Sequence, residues 1–367
     1  SLFDSSVGSS TSLAYARWEH QHRLSGQMRL PEKKIDTLGQ LTIVTYNVFA
    51  GMPMGMIDYK RFQEQVVLLK AMAADIYCLQ EVQSDTLVRM LVEALGEDYV
   101  ILQARSGLGR FIAQVFTSVA MMVVIALSVE RVDCFCAQCD AYIRWRLTYA
   151  ALVGSALLRT IWCIWHSTFW SFVFGCTRGG LLTLCCKETV QVNNFVFRAF
   201  QEQGGDFLNR LRTRGYSFAQ LCVRGVAVTV VNIHANALSE GAPIGRAEPF
   251  PSAQRARQLE EVFGESEALA ADGIGLVLLG DFNTTPDLHE VPAAAYGFTN
   301  SWISQEPCMT VPKINSLSHG FPQTERDVCL DYQFAKGITA FASEALDTGS
   351  LSDHFMLRVV YSLGGHG

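Results

Sequence analysis

Leu278-Leu279-Gly280-Asp281-Phe282-Asn283-Thr284-Thr285-Pro286 is the stretch of this sequence that decides the fold. The apolar run that leads into it, Ile274 to Leu279, is typical of a buried strand. Asp281 and Asn283 lie two residues apart at its end, so we expect their side chains to point the same way out of the sheet. A carboxylate and an amide placed there suit proton transfer and the binding of a phosphate oxygen or a water. Gly-Asp-x-Asn is also common in turns, so a turn without chemistry is the alternative.

Polar residues end or follow the other predicted strands as well. The β-branched run Leu41 to Tyr46 stops at Asn47, and the apolar run Asp75 to Leu79 is followed closely by Glu81. The remaining residues of this kind are His234, Asn236, Asp331, Asp353 and His354. Taken singly, each has an ordinary explanation as a turn residue, a helix-end acid or a satisfied histidine. Their repeated placement at strand ends predicts instead that they converge on one site.

The order of the predicted elements indicates an α/β (α+β) fold with two packed mixed sheets flanked by helices. Helices are predicted at residues 59–73, 85–95 and 254–271. Strands are predicted at residues 41–46, 75–79, 99–102, 179–184, 217–223, 226–233, 274–279, 329–335, 337–343 and 354–361. We predict an N-terminal arm at 1–39, a catalytic domain at 40–361 that is interrupted by an apolar insert at 108–178, and a tail at 362–367.

Charge and cysteine content limit the class of protein. The net charge is −6, so no overall basic field attracts nucleic acid, although a local basic groove is still compatible with this value. The eleven cysteines are scattered rather than spaced as a small disulfide framework. Most of them occupy apolar positions, which favours reduced thiols in a protein that faces the cytosol.

The polar residues at the strand ends suit the hydrolysis of a phosphoester. Mg²⁺ takes oxygen ligands and keeps several waters, so Glu81 and Asn47 fit a magnesium site, and Mn²⁺ is an alternative ion. A neutral histidine can accept a proton from an attacking water, and His354 fits that role with Asp331 to fix its tautomer. Charge that grows on the phosphoryl oxygens needs donors. The residues predicted to bind the phosphate are His234, Asn283 and Asn236.

These motifs resemble the endonuclease/exonuclease/phosphatase superfamily of metal-dependent phosphodiesterases and phosphatases. The matching pieces are Thr45-Tyr46-Asn47, Leu79-Gln80-Glu81-Val82, Asn232-Ile233-His234, Gly280-Asp281-Phe282-Asn283, Leu330-Asp331-Tyr332 and Ser352-Asp353-His354. The resemblance implies a four-layer α/β/β/α sandwich with the site at one edge of the two sheets. It covers residues 41–361 apart from the apolar insert.

The resemblance also implies a role for each matching residue. Glu81 would bind the metal, with Asn47 and Asp353 near it. The Asp331–His354 pair would activate the nucleophile. The residues that would orient the nucleophile or contact the phosphate are Asp281, Asn283 and His234. The catalytic set implied in this way is therefore His354, Asp331, Asp281, Asn283 and His234.

Within the superfamily the sequence is most similar to the neutral sphingomyelinases. The loop Met309 to Asn315 and the Ala-rich helix with Gln254, Arg255 and Gln258 are similar to theirs. Gln83 occupies a position where nucleases often have a basic residue. Deadenylases share the Asp331-Tyr332 pair, so a nuclease or deadenylase is one alternative. A catalytically inactive membrane adaptor is the other.

The apolar insert predicts contact with a membrane. Residues 111–129 carry no charge, and residues 147–176 are apolar except for Arg159 and His166. Nineteen residues suffice to span a bilayer core of about 30 Å as a helix. Because the insert interrupts one domain, both of its ends must emerge on the same side, which favours an embedded helical hairpin or a pair of interfacial helices. The partners predicted in this way are a phospholipid or sphingolipid substrate and the bilayer, through residues 111–176.

Two other interpretations of the insert stay open. It could be a helical hairpin packed on the catalytic domain, although a stretch without any polar face would then need complete burial. Cys134, Cys136 and Cys139 lie close together, but they lack the paired Cys-x-x-Cys spacing of a zinc site. Cysteines beside apolar helices could instead carry palmitate.

The predicted location is a membrane, with the catalytic domain on its cytosolic side.

Overall fold

The computed structural model describes residues 39–49, 58–105, 177–202, 214–236, 249–269, 275–285, 291–304, 306–312 and 327–363. The predicted arm up to residue 38, residues 106–176 of the insert region and tail residues 364–367 lie outside these ranges. The helical hairpin, the grouping of Cys134, Cys136 and Cys139, and the domain bounds at either terminus therefore stay predictions.

The described elements are twelve strands, three α-helices and one turn of 3₁₀ helix. The strands are β1 (Gln40–Asn47), β2 (Ile76–Gln80), β3 (Tyr99–Arg105), β4 (Thr177–Cys186), β5 (Val190–Ala199), β6 (Gly215–Val223), β7 (Val226–His234), β8 (Gly275–Asp281), β9 (Thr299–Asn300), β10 (Asp331–Lys336), β11 (Thr339–Leu346) and β12 (Met356–Ser362). The helices are α1 (Tyr59–Met72), α2 (Asp85–Leu95) and α3 (Pro249–Leu269), with the 3₁₀ helix at Ala293–Tyr296.

The strands form two six-stranded mixed sheets. The first has the order β11-β12-β1-β2-β4-β3, and the second has the order β5-β6-β7-β8-β10-β9. Each sheet contains one parallel pair, β1 with β2 and β7 with β8, and its other pairs are antiparallel. In a parallel pair both strands end at the same edge of the sheet, so the residues that follow β1 and β2, and those that end β7 and β8, are brought together.

Apolar residues on both faces of each sheet produce four layers. Ile43 and Leu279 pack in the core between the sheets. Val44 faces the opposite way into a core that includes residues of α1 and α2. Leu278 likewise packs into a third core that includes Leu259 and Val262 of α3. Complete burial of such a side chain contributes about 1.5–3 kcal/mol, so continuous apolar strands are stable only between two covered faces. The predicted four-layer fold is confirmed.

A buried polar pair joins the two sheets directly below the strand ends. Gln80 Nε2 donates a hydrogen bond to Asn232 Oδ1 at 2.8 Å and another to Thr45 Oγ1 at 3.0 Å. Asn232 Nδ2 donates to the carbonyl oxygens of Leu79 and Leu182 at 3.2 and 3.0 Å. Gln80 and Asn232 are fully buried, where a missing partner would cost about 1–3 kcal/mol. The pair therefore sets the distance between the sheets close to the residues that the sequence marked as functional.

Candidate active site

Three of the predicted residues lie side by side at one edge of the second sheet. In the pairing of β7 with β8, His234 is the partner of Asp281, and in the pairing of β8 with β10, Asp281 is the partner of Asp331. All three side chains are buried. His234 Nε2 lies 3.5 Å from Asp281 Oδ2. The register of the strands thus brings together residues from three separate motifs.

Gly280 makes this register possible because its position has no room for a side chain. Its φ angle is +136°, and a Cβ atom added there would lie 2.1 Å from the carbonyl oxygen of Ile233. The glycine of Gly-Asp-Phe-Asn therefore allows β7 and β8 to approach closely at the residue just before Asp281.

Asp281 and Asn283 form a turn and are also part of the site. Asn283 N donates to Asp281 Oδ1 at 2.8 Å, which is the hydrogen bond of an Asx turn. Asp281 Oδ2, the other carboxylate oxygen, faces the site, and the amide of Asn283 donates to the carbonyl oxygen of Ala235 at 3.1 Å. The two interpretations of this motif are thus compatible, because one carboxylate oxygen serves the turn and the other serves the site.

The first sheet contributes Asn47, Glu81 and His354, and each contacts a residue of the second sheet. Asn47 Nδ2 donates to Asp281 Oδ2 at 2.9 Å and lies 3.4 Å from Glu81 Oε1. Glu81 Oε1 lies 3.9 Å from His234 Nε2. His354 Nε2 lies 4.0 Å from Asp281 Oδ2. These contacts join the two halves of the site across the layer boundary.

His354 and Asp331 form the tightest pair in the site. His354 Nδ1 lies 2.7 Å from Asp331 Oδ2, and both residues are buried. When Nδ1 carries the proton and donates it to Asp331, Nε2 is left as the acceptor. Thr310 bonds Asp331 and the residue after His354: its Oγ1 accepts from the backbone N–H of Asp331 at 3.2 Å, and its carbonyl oxygen accepts from Phe355 N at 2.6 Å.

Burial and the neighbouring carboxylates together raise the pKa of several groups in the site. Burial raises the pKa of Asp281 to about 7, and the charge of Asp331 adds to this effect. Burial also raises the pKa of Asp353 to about 6, with a further contribution from the charge of Glu81. Burial alone would lower the pKa of His354, but the carboxylates of Asp331, Asp353 and Asp281 outweigh it, so the pKa lies well above its usual value. The site therefore carries an excess of negative charge.

Glu81 and Asn283 have backbone conformations that residues with side chains rarely adopt. Their φ angles are +63° and +51°, in the left-handed region. Such a conformation costs about 1–3 kcal/mol and is kept only where its surroundings fix it. Beside Glu81, Val82 N donates to the carbonyl oxygen of Gly180 at 2.9 Å, and a Cβ atom on Gly180 would lie 3.1 Å from Glu81 Cα. The carboxylate of Glu81 is thus held at the edge by close backbone packing.

Comparison with protein families identifies this arrangement. The model of the Endonuclease/Exonuclease/phosphatase family matches residues 44–354, which include every strand-end residue described above. The chain belongs to this family. The resemblance predicted from the sequence motifs is thereby confirmed. No curated protein sequence matches the chain at a significant level.

Solved structures of the endonuclease/exonuclease/phosphatase fold match most of the chain. The family protein from Bacteroides vulgatus is 12% identical, with a TM-score of 0.56, and the match covers 89% of this chain and 100% of that one. Beta toxin 275-280 from Staphylococcus aureus is 12% identical, with a TM-score of 0.54 and coverage of 87% and 99%. D. rerio TDP2 complexed with a single-strand DNA product is 12% identical, with a TM-score of 0.52 and coverage of 88% and 99%. At these identities the matches show the fold.

Proteins of this family are generally metal-dependent hydrolases, and the donor set of the site fits a divalent cation. Oxygen ligands that a hard cation prefers are present in Glu81, Asp281, Asp353 and the Asn47 amide, which lie close together at this edge. Among the residues that the structure describes, a different group has potential ligand atoms that all lie within 4.8 Å of one another: Asp281, Asp331 and His354. Because His354 and Asp331 already bond each other, the oxygen-rich set is the better match to Mg²⁺.

Several residues that support the site were not predicted from the sequence. Ser352 Oγ donates to the carbonyl oxygen of Asn47 at 2.6 Å and accepts from His354 N at 3.1 Å, so it links these two residues of the site. Gln65 of α1 donates to the carbonyl oxygens of Val48 and Leu351 at 2.8 and 2.6 Å. One signal could have indicated Gln65: it is a polar residue among the apolar positions of a helix.

Among the residues that the structure describes, no helix is both long enough and apolar enough to cross a membrane. Residues 111–176, for which membrane contact was predicted, lie outside the described ranges.

Proposed function

We propose that this chain is a Mg²⁺-dependent phosphodiester hydrolase that acts at membranes and is most similar in activity to the neutral sphingomyelinases. The observation that carries the hydrolytic part is the 2.7 Å contact between His354 and Asp331, set opposite a cluster of carboxylates that includes Glu81. A general base with its orienting carboxylate, next to oxygen ligands for a cation, is the combination that hydrolysis of a phosphoester needs.

His354 has the geometry to take the proton of the attacking water. Asp331 accepts the hydrogen bond from Nδ1–H and stabilises the imidazolium that forms. The carboxylates of Asp331, Asp353 and Asp281 raise the pKa of His354, and a divalent cation bound among the carboxylates would lower it again, so that Nε2 is unprotonated and accepts the proton of the water. Asp281 and Asn283 would hold the water in line with the phosphorus, and His234 would contact a phosphoryl oxygen. Mg²⁺ bound by Glu81, with Asn47 and Asp353 near it, would supply charge stabilisation for the phosphoryl and leaving oxygens.

Three features of the sequence support a lipid substrate. The net charge of −6 offers no general attraction for nucleic acid. Gln83 stands two residues after Glu81, where a basic residue would meet a neighbouring phosphate. The loop that starts at Met309 is similar to the sphingomyelinase loop, and its Thr310 bonds the backbone of Asp331 and of Phe355, the residue after His354.

The position of the apolar insert supports action at a membrane. The insert leaves β3 after Arg105 and returns to β4 at Thr177, and these two residues are partners in adjacent antiparallel strands. Next along β4, Gly180 bonds the backbone beside Glu81 and Leu182 pairs with Leu79. Both ends of the insert are therefore at the catalytic edge, so a bilayer bound by the insert would lie near the site. Membrane association and a cytosolic orientation are parts of this proposal.

A substrate panel tests the reaction class and the substrate together. With Mg²⁺ we expect hydrolysis of sphingomyelin in detergent micelles, and with EDTA we expect none. We expect single-stranded DNA and oligoadenylate to be hydrolysed at least about 100-fold more slowly, because no basic field attracts them. Hydrolysis of the nucleic acids alone would select the nuclease or deadenylase alternative. Binding of vesicles without hydrolysis of any substrate would select the inactive adaptor.

A deletion of the insert tests the membrane role. Because Arg105 and Thr177 are cross-strand partners, a short Asn-Gly turn can replace residues 106–176 and close β3 and β4 into a hairpin. We expect this variant to lose most of its sedimentation with sphingomyelin-containing vesicles. It should still hydrolyse the soluble diester bis(p-nitrophenyl) phosphate, because each strand-end residue of the site is retained. Unchanged sedimentation of the variant would contradict the membrane role.

A further inference from the structure

Asn236 has a buried side-chain amide whose hydrogen bonds are not made within the protein. The residue is only 5% exposed. Within the described part of the chain, neither Oδ1 nor Nδ2 of Asn236 has a hydrogen-bond partner. Its backbone is well held, since Asn236 N donates to Gln258 Oε1 at 3.0 Å. Buried polar groups are normally satisfied, so an amide with both ends open calls for an explanation.

The amide belongs to the catalytic edge. Ala235 N donates to the carbonyl oxygen of Asp281 at 2.9 Å, which extends the pairing of β7 with β8 one residue beyond His234. In an extended chain alternate side chains share a side, so Asn236 follows His234 on the same side. The carbonyl oxygen of Ala235 also accepts from Asn283 Nδ2 at 3.1 Å. Asn236 therefore follows one residue of the site, His234, in the chain, and the carbonyl group just before it bonds another, Asn283.

The chemistry of the open amide limits what it can bind. Nδ2 needs an acceptor, and Oδ1 needs a donor. An ionised phosphodiester has acceptors only, so the phosphate predicted as the partner of Asn236 would satisfy Nδ2 and leave Oδ1 open. A hydroxyl or a secondary amide offers both a donor and an acceptor and would satisfy the whole group.

We propose that Asn236 is a specificity-determining residue that binds a hydroxyl or amide group of the substrate beside the scissile phosphate. This inference rests on the proposed hydrolysis of phospholipids and deepens it. Phospholipids that share a headgroup differ in whether their backbone carries such a group. A sphingoid backbone carries an amide N–H and a hydroxyl, whereas a diacylglycerol backbone carries only ester acceptors. Sites built to bond such a group discriminate strongly against substrates that lack it.

The test compares sphingomyelin with phosphatidylcholine, which share the phosphocholine headgroup, in the same mixed micelles with Mg²⁺. For the full chain we expect kcat/KM to favour sphingomyelin. In Asn236→Leu the ratio of the two kcat/KM values should fall by about 10- to 100-fold, because only the sphingoid substrate loses a partner. Asn236→Asp keeps an acceptor and loses the N–H donor, so its ratio should fall by less than that of Asn236→Leu.

A substrate analogue provides the matched control without any change to the protein. Sphingomyelin methylated at its amide nitrogen and hydroxyl should be a poor substrate for the unmodified chain. Asn236→Leu should lower the kcat/KM of this analogue little further, because methylation and the replacement remove the same interaction. The role of Asn236 would be overturned if Asn236→Leu lowered kcat/KM equally for sphingomyelin and phosphatidylcholine, or if the losses caused by the variant and by methylation were fully additive. Either result would leave the proposed lipid activity standing. Hydrolysis of neither lipid by the unmodified chain would instead reject the proposed lipid activity and this inference with it.

Discussion

Replacement of His354 by alanine is expected to lower kcat for sphingomyelin by about 10³- to 10⁴-fold. The variant lacks the only group in the described site that combines a free ring nitrogen with a carboxylate partner at 2.7 Å. Steady-state hydrolysis in micelles with saturating Mg²⁺ measures the effect. KM should change little, because the ring acts on the water and not on the lipid.

Asp331→Asn is the companion variant, and its loss should be of similar size. The amide cannot hold the imidazole in the tautomer with Nδ1 protonated or stabilise the imidazolium. The effects of the two replacements should not add, since the residues act as one unit. Asp98→Asn, at an exposed position after α2, is the matched control and should retain full activity. Substantial turnover by His354→Ala would rule out the proposed base.

Removal of the divalent cation should abolish hydrolysis, and Glu81→Gln should raise the Mg²⁺ concentration needed for half-maximal activity by about 10- to 100-fold. The replacement removes a charged oxygen from a cluster in which Asp281 and Asp353 already have raised pKa values. Binding measured by calorimetry should weaken in parallel. Mg²⁺ at about 100 times its Kd should also stabilise the unmodified chain by about 2.7 kcal/mol, visible as a rise in Tm.

Glu93→Gln is the control for this experiment, because Glu93 is an exposed acid on α2 and is not one of the predicted site residues. Its Mg²⁺ dependence and Tm should match those of the unmodified chain. If Glu81→Gln bound Mg²⁺ as tightly as the control, the proposed ligand set would be wrong, and the group Asp281, Asp331 and His354 would be the next candidate.

The strands and helices with regular apolar patterns could be predicted from the sequence, whereas β5 and the two-residue β9 could not. α2 begins at Asp85 and ends at Leu95, as predicted, because its apolar positions repeat with helical spacing. Ser84 Oγ caps its N-terminus by accepting a hydrogen bond from Leu87 N. β5 was missed. It lies at the edge of the second sheet, most of its side chains are partly or fully exposed, and an irregularity between Val192 and Asn194 breaks the alternation.

The convergence of the site could be predicted, but its contacts could not. The carboxyl ends of neighbouring parallel strands meet at one edge, so the grouping of Asn47 with Glu81 and of His234 with Asp281 followed from their motifs. The register that makes Asp331 the partner of Asp281 depends on the pairing of β8 with β10, which no local pattern encodes. The open amide of Asn236 likewise depends on its surroundings in the fold.

The joining of the two sheets has a consequence for the nascent chain. Asn47 and Asp281, which bond across the layers, are 234 residues apart, and Ser352, next to His354, bonds Asn47 across 305 residues. A ribosome must therefore release almost the whole of residues 47–354 before any part of the proposed chemistry can be assembled. Until His354 has been synthesised, an intermediate lacks the proposed base and cannot carry out the proposed hydrolysis. The proposed site is thus complete only when the last strand, β12, has folded.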